Sequence, residues 1–458
     1  MNTLARLAAL VLLALLGACS SFPRIVPDMA QSRATPQLAG ARGPLSAARS
    51  KEILDGLRAS NPDADILGRH LALETALSDS PLVVGNRVRL LQDGPATYSA
   101  MLDAIAAARD HINMETYIME DDEAGKRFAA ALIDKQRQGV QVNLIRDSVG
   151  TLGTPKEFFK NLSDAGVNVL EFNPVNPLVA SAGWDVNQRD HRKLLVIDGA
   201  KAFLGGVNIS SVYSGGSSAH RAAPDQPGHV PWRDTDLAID GPVVASFQKL
   251  FVETWEKQKG SPLASRNYFP ALARQGDEVV HAIGGSPDEP YNLIYATLIS
   301  AIDASEKEVL LTNAYFVPDP QLVDALKRAV GRGVDVKVVL PSTTDSALVL
   351  NASHSHYDEL LRAGIKIYER QNALLHAKTA LIDGVWSTVG STNLDWRSFL
   401  HNQEVTAVVL GTDFGTQMHG AFDADMAASR EVTLAAWERR SPVQRLKEAF
   451  GRLWQYWL

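Results

Sequence analysis

The chain is poor in cysteine: Cys19 is the only one in 458 residues, so no disulfide can close within the chain and no cysteine-rich metal site is available. It also lacks a basic excess. Its 45 Lys and Arg against 52 Asp and Glu leave a formal charge of −7, which excludes the global positive field of a general nucleic-acid binder; an anionic substrate must be held by local charges. The apolar run from Leu7 to Ala18 is too short for a comfortable transmembrane helix. Metal-ligand spacing is missing as well, since histidines such as His70, His220 and His281 are scattered. What is present is ordinary globular composition, 45 % hydrophobic and 7 % aromatic, in a length that suits two cores better than one.

Residues 1–18, with Arg6 ahead of the apolar run, read as a secretory signal. The run ends in Leu16-Gly17-Ala18-Cys19, which resembles the bacterial lipobox. That resemblance implies lipidation at Cys19, anchoring to the cell envelope facing the periplasm, and, with Ser20 next, the outer membrane in preference to the inner. Residues 19–81 fit a tether with a helical lead-in, Lys51 to Ser60.

From Asn86 strands alternate with helices, and the order occurs twice, as in an α/β protein. "RQGVQVNLI" ending at Ile145 matches "GRGVDVKVV" ending at Val339, and "LSDAGVNVLEF" matches "LLRAGIKIYER". The expected organisation is a first domain over 82–258, a linker over 259–278, a second domain over 279–440 and a C-terminal amphipathic helix over 441–458. One interruption, 215–231, lies in the first copy alone and reads as a lid or mouth on a shared cleft.

The chemistry is concentrated in a repeated motif. "DHRKLLVIDG" (190–199) alone is an ordinary strand with a solvated end. "HAKTALIDG" (376–384) repeats its His, Lys and Asp at the same spacing, which chance supplies well under once per chain, and Gly390-Ser391-Thr392-Asn393 repeats Gly205-Gly206-Val207-Asn208. Residues two apart on a strand share a face, so His191 joins Lys193 and His376 joins Lys378. Asp198-Gly199 and Asp383-Gly384 signal hairpins; a tight turn puts Gly206 opposite His191 and Ser391 opposite His376, leaving room there for substrate, with Asn208 and Asn393 reaching the same space. Two histidines, two lysines and two asparagines suit a phosphodiester. The cations and amides would neutralise phosphoryl oxygens, one neutral imidazole would attack phosphorus, and the other would protonate the leaving alcohol. Such a site requires no metal and no cofactor.

These residues resemble the phospholipase D superfamily over about 82–440, whose pattern is H-x-K-x-x-x-x-D followed by G-G-x-N or G-S-x-N. The resemblance implies two pseudo-symmetric α/β/α sandwich domains sharing one active site at their interface. It makes His191, Lys193, Asp198 and Asn208 one half-site and His376, Lys378, Asp383 and Asn393 the other, with His191 as nucleophile and His376 as acid/base. It also points to Glu404 and Asp234 as carboxylates that each orient one histidine, in crossed fashion. Asp198 and Asp383 can equally be structural, closing their turns.

"GGVNISSVYSG", "PWRDTDLAIDGPVV" and "GSTNLDWRSFLHNQE" look like bacterial cardiolipin synthases, although Asp236 stands where many of these have histidine. The implied activity is phosphatidyl transfer to an alcohol, with phosphatidylglycerol and phosphatidylethanolamine as phospholipid substrates at a membrane surface and no nucleic-acid partner. A hydrolysing phospholipase D would use the same residues, and a secreted nuclease is a further alternative. In "SPVQRLKEAFGRLWQYWL" apolar residues at helical spacing oppose basic ones, which fits either an interfacial helix or a last helix packed on the core.

Overall fold

A computed structural model describes residues 36–59, 71, 80–176, 185–216 and 230–458. The signal and lipobox with Cys19, most of the tether and most of the 215–231 interruption lie outside these residues. A short lead-in of two strands (Leu38–Gly40, Gly43–Pro44) and a helix (Ala47–Ala59) precedes the main body.

The first half runs β1 (Leu82–Gln92), α1 (Asp93–Ala107), β2 (His111–Thr116), α2 (Glu123–Arg137), β3 (Gln141–Asp147), α3 (Lys156–Asp164), β4 (Asn168–Phe172), β5 (Leu194–Ile197), β6 (Lys201–Gly205), β7 (Thr235–Asp240) and α4 (Val244–Lys257). The second repeats it as β8 (Glu278–Gly285), α5 (Leu293–Ala304), β9 (Glu308–Asn313), α6 (Pro320–Gly331), β10 (Asp335–Pro341), α7 (Ala347–Arg362), β11 (Lys366–Arg370), β12 (Lys378–Ile382), β13 (Trp386–Gly390), α8 (Trp396–Leu400), β14 (Asn402–Leu410) and α9 (Thr412–Ala427). An edge strand, β15 (Ser429–Val432), and helices α10 (Leu434–Glu438) and α11 (Pro442–Trp454) follow. The matched "QGV" and "RGV" segments have one local cause: Gly139 and Gly333, at φ of 90° in both, end α2 and α6 in the left-handed region before a buried valine opens the next strand.

Strand order in the first half is β4-β3-β2-β5-β6-β7-β1, parallel among β2, β3 and β4 and antiparallel elsewhere. The second half has the same order, β11-β10-β9-β12-β13-β14-β8. β1 pairs antiparallel with β8, Val83 beside Val280, so the halves share a continuous sheet. Each half has an outer core under its own helices. A third core lies between the halves, where Phe247, Phe251 and Trp255 of α4 meet Phe414, Met418 and Phe422 of α9 across β5, β6, β13 and β14. This is the expected pair of α/β/α halves.

Short parallel crossings tie the halves where the motifs lie. Arg189–Asp190 pairs with Asn402–Gln403 at the start of β14, and Trp232–Arg233 pairs with Leu374–Leu375 just before His376. Two buried arginines fasten them. Arg192 donates to the Glu404 carbonyl (3.0 Å), Thr254 Oγ1 (2.7 Å) and the Gly285 carbonyl (3.3 Å), while Arg233 grips both oxygens of Asp425 at 2.8 and 2.7 Å. Removing one member of such a buried pair strands the other, at about 3–5 kcal/mol.

One expectation changes and one open alternative is decided. The hairpins after the motifs are three-residue loops, with Ile197 opposite Lys201 and Ile382 opposite Trp386, and both Asp198 (φ 53°) and Asp383 (φ 51°) are left-handed. The register therefore differs by one residue from a tight turn, and Gly206 and Ser391 do not stand opposite the histidines. The C-terminal helix α11 does not pack its apolar stripe on the core: it seats Glu448 and Gly451 against the protein and leaves Val443, Leu446, Phe450, Leu453 and Trp454 exposed. Among the described residues no helix is long and apolar enough to cross a membrane.

Candidate active site

His191 lies between the Arg189–Asp190 crossing and β5, and its backbone N–H donates to the Gln403 carbonyl of the other half at 2.9 Å. That bond brings its ring to Glu404 on β14, whose carboxylate oxygens stand 3.0 and 3.1 Å from Nδ1. His376 is its mirror: its N–H donates to the Arg233 carbonyl at 2.7 Å, and Asp234 Oδ2 is 2.7 Å from its Nδ1. Each imidazole is thus aimed by a buried carboxylate from the opposite half. An Nδ1–H donated to a carboxylate leaves the lone pair on Nε2 for chemistry.

The lysines stay on the histidines' side. Lys193 Nζ donates back to the His191 carbonyl at 2.6 Å, and Lys378 Nζ does the same to His376. Burial pulls Lys193 down to about 7 and Lys378 to about 8, with the nearby carboxylates opposing; for Lys193 the second ammonium adds to the fall. Burial likewise brings His191 down to about 4 against the pull of Glu404, and burial followed by Lys378 lowers His376. Burial alone would push Glu404 and Asp234 up, yet the adjacent imidazoles and lysines hold both below the usual carboxylate range. The site is a buried cluster of two imidazoles, two lysines and two carboxylates, in which burial holds both imidazoles below the usual histidine range.

Asn208 and Asn393 differ. Asn208 donates to the Tyr213 hydroxyl (3.1 Å) and accepts from the Ile118 N–H (3.2 Å), whereas the buried Oδ1 of Asn393 has no hydrogen-bond partner among the described residues. Aromatic rings that sequence reasoning missed wall the site. Tyr117 meets His191 edge-on at 5.0 Å between centroids, and Tyr213, Trp232 and Tyr315 surround His376 at 5.9, 5.2 and 6.5 Å. The available signal was position: Tyr117 and Tyr315 follow the matching strands β2 and β9. Arg192 was missed too, although its place between His191 and Lys193 turns it to the opposite, buried face, where a cation needs partners.

Two residues take the structural one of their two expected roles, and two others do work that was not expected. Asp198 sits at the far end of β5 and accepts from the backbone N–H groups of Arg109 (2.9 Å), Asp110 (2.8 Å) and His111 (3.0 Å); Asp383 does the same for Glu306, Lys307 and Glu308 at 2.8–3.0 Å. Both are corrected from the reacting set to structural anchors, because their oxygens are spent on strand starts. Ser391 donates to Glu404 and accepts from the Val405 N–H at 3.1 Å, so it braces the carboxylate and lines no substrate space. At Gly206 a Cβ would come within 2.1 Å of Asp234 Oδ1, so this glycine makes room for the carboxylate. Asp236, pushed up to about 8 by burial and then by Asp234, accepts from the Val207 N–H at 3.0 Å and holds the same loop.

A family model described as "Cardiolipin synthase, PLD-like domain" matches residues 101–213 and 298–426. The chain belongs to this family. It is similar to the cardiolipin synthase of Alkalihalophilus pseudofirmus, 33% identical over 380 residues that cover 82% of this chain and 73% of that protein. It is also similar to cardiolipin synthase A of Pseudomonas fluorescens, 33% identical over 383 residues, 82% of this chain and 76% of that one. In fold it resembles the crystal structure of phosphatidylserine synthase from Haemophilus influenzae, with a TM-score of 0.63 at 13% identity over 84% of this chain and 98% of that one. The resemblance drawn from the paired motifs is borne out.

The expected location is not. Relatives in Alkalihalophilus, Geobacillus and Bacillus are cardiolipin synthases that give no sign of an outer-membrane lipoprotein, and they overturn that expectation. Its basis was slender: an apolar run and one cysteine mark a place where a lipid could attach, while the choice of membrane rested on Ser20 alone.

Proposed function

We propose that the protein is a phosphatidyltransferase of the cardiolipin synthase type, acting on phosphatidylglycerol, with His191 as nucleophile and His376 as acid/base. The observation that carries it is the crossed pair of imidazoles, each held at Nδ1 by a buried carboxylate of the other half, Glu404 at 3.0 Å and Asp234 at 2.7 Å, with Lys193 and Lys378 buried beside them. The lipid phosphodiester enters between the lysines, whose charge its anion restores. His191 Nε2 forms a bond to phosphorus as the bond to the head-group oxygen breaks, and His376, which enters the step as the imidazolium, gives that oxygen its Nε2 proton. Asn393, buried beside Lys378 in the repeated motif, would turn its Nδ2–H donors to the phosphoryl oxygens. A hydroxyl of a second phosphatidylglycerol then attacks phosphorus, His376 takes the proton, and the phosphorus–nitrogen bond breaks. Cardiolipin and glycerol are the products.

Among the described residues no group of three or more His, Cys, Asp or Glu is placed to hold a metal ion, and the proposed steps use none. The test is a mixed-micelle assay of purified protein with phosphatidylglycerol, alone and with phosphatidylethanolamine, scoring products by mass with EDTA present. Cardiolipin formed by wild type and lost in His191→Ala is the expected result. Phosphatidic acid alone would replace the proposal with hydrolysis.

A further inference from the structure

Half of the large apolar side chains exposed on the described residues lie in one short segment. Six belong to the C-terminus: Val443, Leu446, Phe450, Leu453, Trp454 and Trp457, with Leu446 72% and Leu453 78% exposed. On a helix the first five fall within an arc of about 100°. The opposite face is polar and is the one that packs. Glu448 is buried on Arg440 (2.9 Å), Gln444 donates to Asn351 (3.2 Å), and a Cβ on Gly451 would come within 2.6 Å of the Ala352 backbone nitrogen. The fold has turned the helix inside out, seating the hydrophilic face and presenting the apolar one.

The residues that follow the helix pack on an element that also carries the active site. The Leu458 carbonyl accepts from the Arg397 N–H at 2.8 Å, and Tyr456 lies against Trp396 at 5.6 Å, both on α8 just after Asn393. Arg397 in turn donates to Asn187 at 3.0 Å, four residues before His191. Next to Asn187 is exposed Val186, and Val149 and Leu152 are exposed on the loop after β3, whose Gly150 abuts Tyr117. A chain of contacts therefore links the end of the helix to the segment that leads into His191, with exposed apolar residues at both ends of it.

We infer that α11 is an interfacial helix that lays this stripe into an anionic phospholipid bilayer, holding the pocket's mouth against the lipid. Charge selects the occupant. Lys447 borders the stripe, and Arg445 and Arg452 stand exposed farther round the same helix, on a chain of net charge −7 that an anionic surface would otherwise repel. A second copy placed face to face would bring the same cations together. The two tryptophans suit the boundary between head groups and acyl chains.

The test places an environment-sensitive fluorophore at Leu453→Cys in a Cys19→Ser background of the full chain. The vesicles are phosphatidylcholine with about 30% phosphatidylserine, free of phosphatidylglycerol, so the result does not depend on turnover. The expected result is a blue shift with these vesicles, absent for a probe at Lys249→Cys and suppressed by salt. Leu446→Glu with Phe450→Glu should lower the bound fraction about tenfold or more while turnover of detergent-dispersed phosphatidylglycerol persists. Three results would overturn the proposal: a probe that stays in water, an equal shift on neutral vesicles, or a shift that grows with protein concentration and needs no vesicles, which would assign the face to a second copy.

Discussion

Replacing Glu404 by Gln keeps the shape of the side chain and removes its charge. In the resting site that is a small change, since an amide oxygen can still accept from His191 Nδ1, 3.0 Å away. On the mechanism we propose it is not small in the transition state, because attack on phosphorus would make the His191 ring cationic. Opposite charges with centres about 4–5 Å apart in a medium of effective dielectric about 20 attract by about 3–4 kcal/mol, so losing the carboxylate should cost about 10²- to 10³-fold in kcat. KM should hardly move, because Glu404 has no exposure to substrate. The assay is single-turnover formation of the phosphoenzyme, quenched in alkali, with melting measured in parallel. Glu404 also raises the His191 pKa, so its loss should carry the acid limb of kcat/KM to lower pH. A variant within fivefold of wild type at unchanged melting temperature would refute the claim that this carboxylate stabilises the imidazolium.

Asp198→Asn should cost stability without costing chemistry: weakening three charge-assisted bonds to the Arg109, Asp110 and His111 N–H groups is worth about 2–4 kcal/mol, read as a lower urea midpoint at unchanged kcat per folded molecule. Acid should destabilise the fold through the histidines. The His191 pKa is depressed to about 4 from 6.5, so its contribution is full above pH 6.5 and disappears as pH falls towards 4; it amounts to about 3 kcal/mol, and His191→Asn should flatten urea midpoints across that window. Gly206→Ala should displace Asp234 from His376, lowering kcat about as far as Asp234→Asn does; a fully active Gly206→Ala enzyme would deny the glycine its role.

The halves were legible because duplication leaves two readings of the same physics. Gly139 and Gly333 punctuate matching turns, and buried β-branched residues follow each. The histidine and lysine pairs were legible for the same reason, whereas Glu404 and Asp234 came from the family resemblance. Register was not, because an Asp-Gly pair fits both a two-residue turn and the longer loop found here. What decides between them is Asp198 reaching across to three backbone N–H groups some 90 residues away in sequence, as close as 2.8 Å, and no local pattern contains that contact. The C-terminal helix shows the same limit from the other side. Its amphipathic period was plain, but which face packs depended on Gly451 and Glu448 finding α7 and Arg440.

Pseudo-symmetry gives two equivalent-looking histidines, yet the reaction needs one to bond with phosphorus and the other to carry a proton. The motif tails break the tie. Where the first half has Gly206 beside Asp234, the second has Ser391, whose hydroxyl braces the longer Glu404; Asn402 adds a donor at 3.3 Å. His376 is further confined by Tyr213, Trp232 and Tyr315, with the Tyr213 hydroxyl 3.3 Å from the Nδ1 that Asp234 already holds. Among the described residues His191 has one aromatic neighbour, Tyr117. A proton carrier works best at a fixed distance from the leaving and attacking oxygens, whereas a nucleophile must advance on phosphorus as the bond forms. The looser ring on the better-braced carboxylate is His191, which supports its assignment as the one that is phosphorylated.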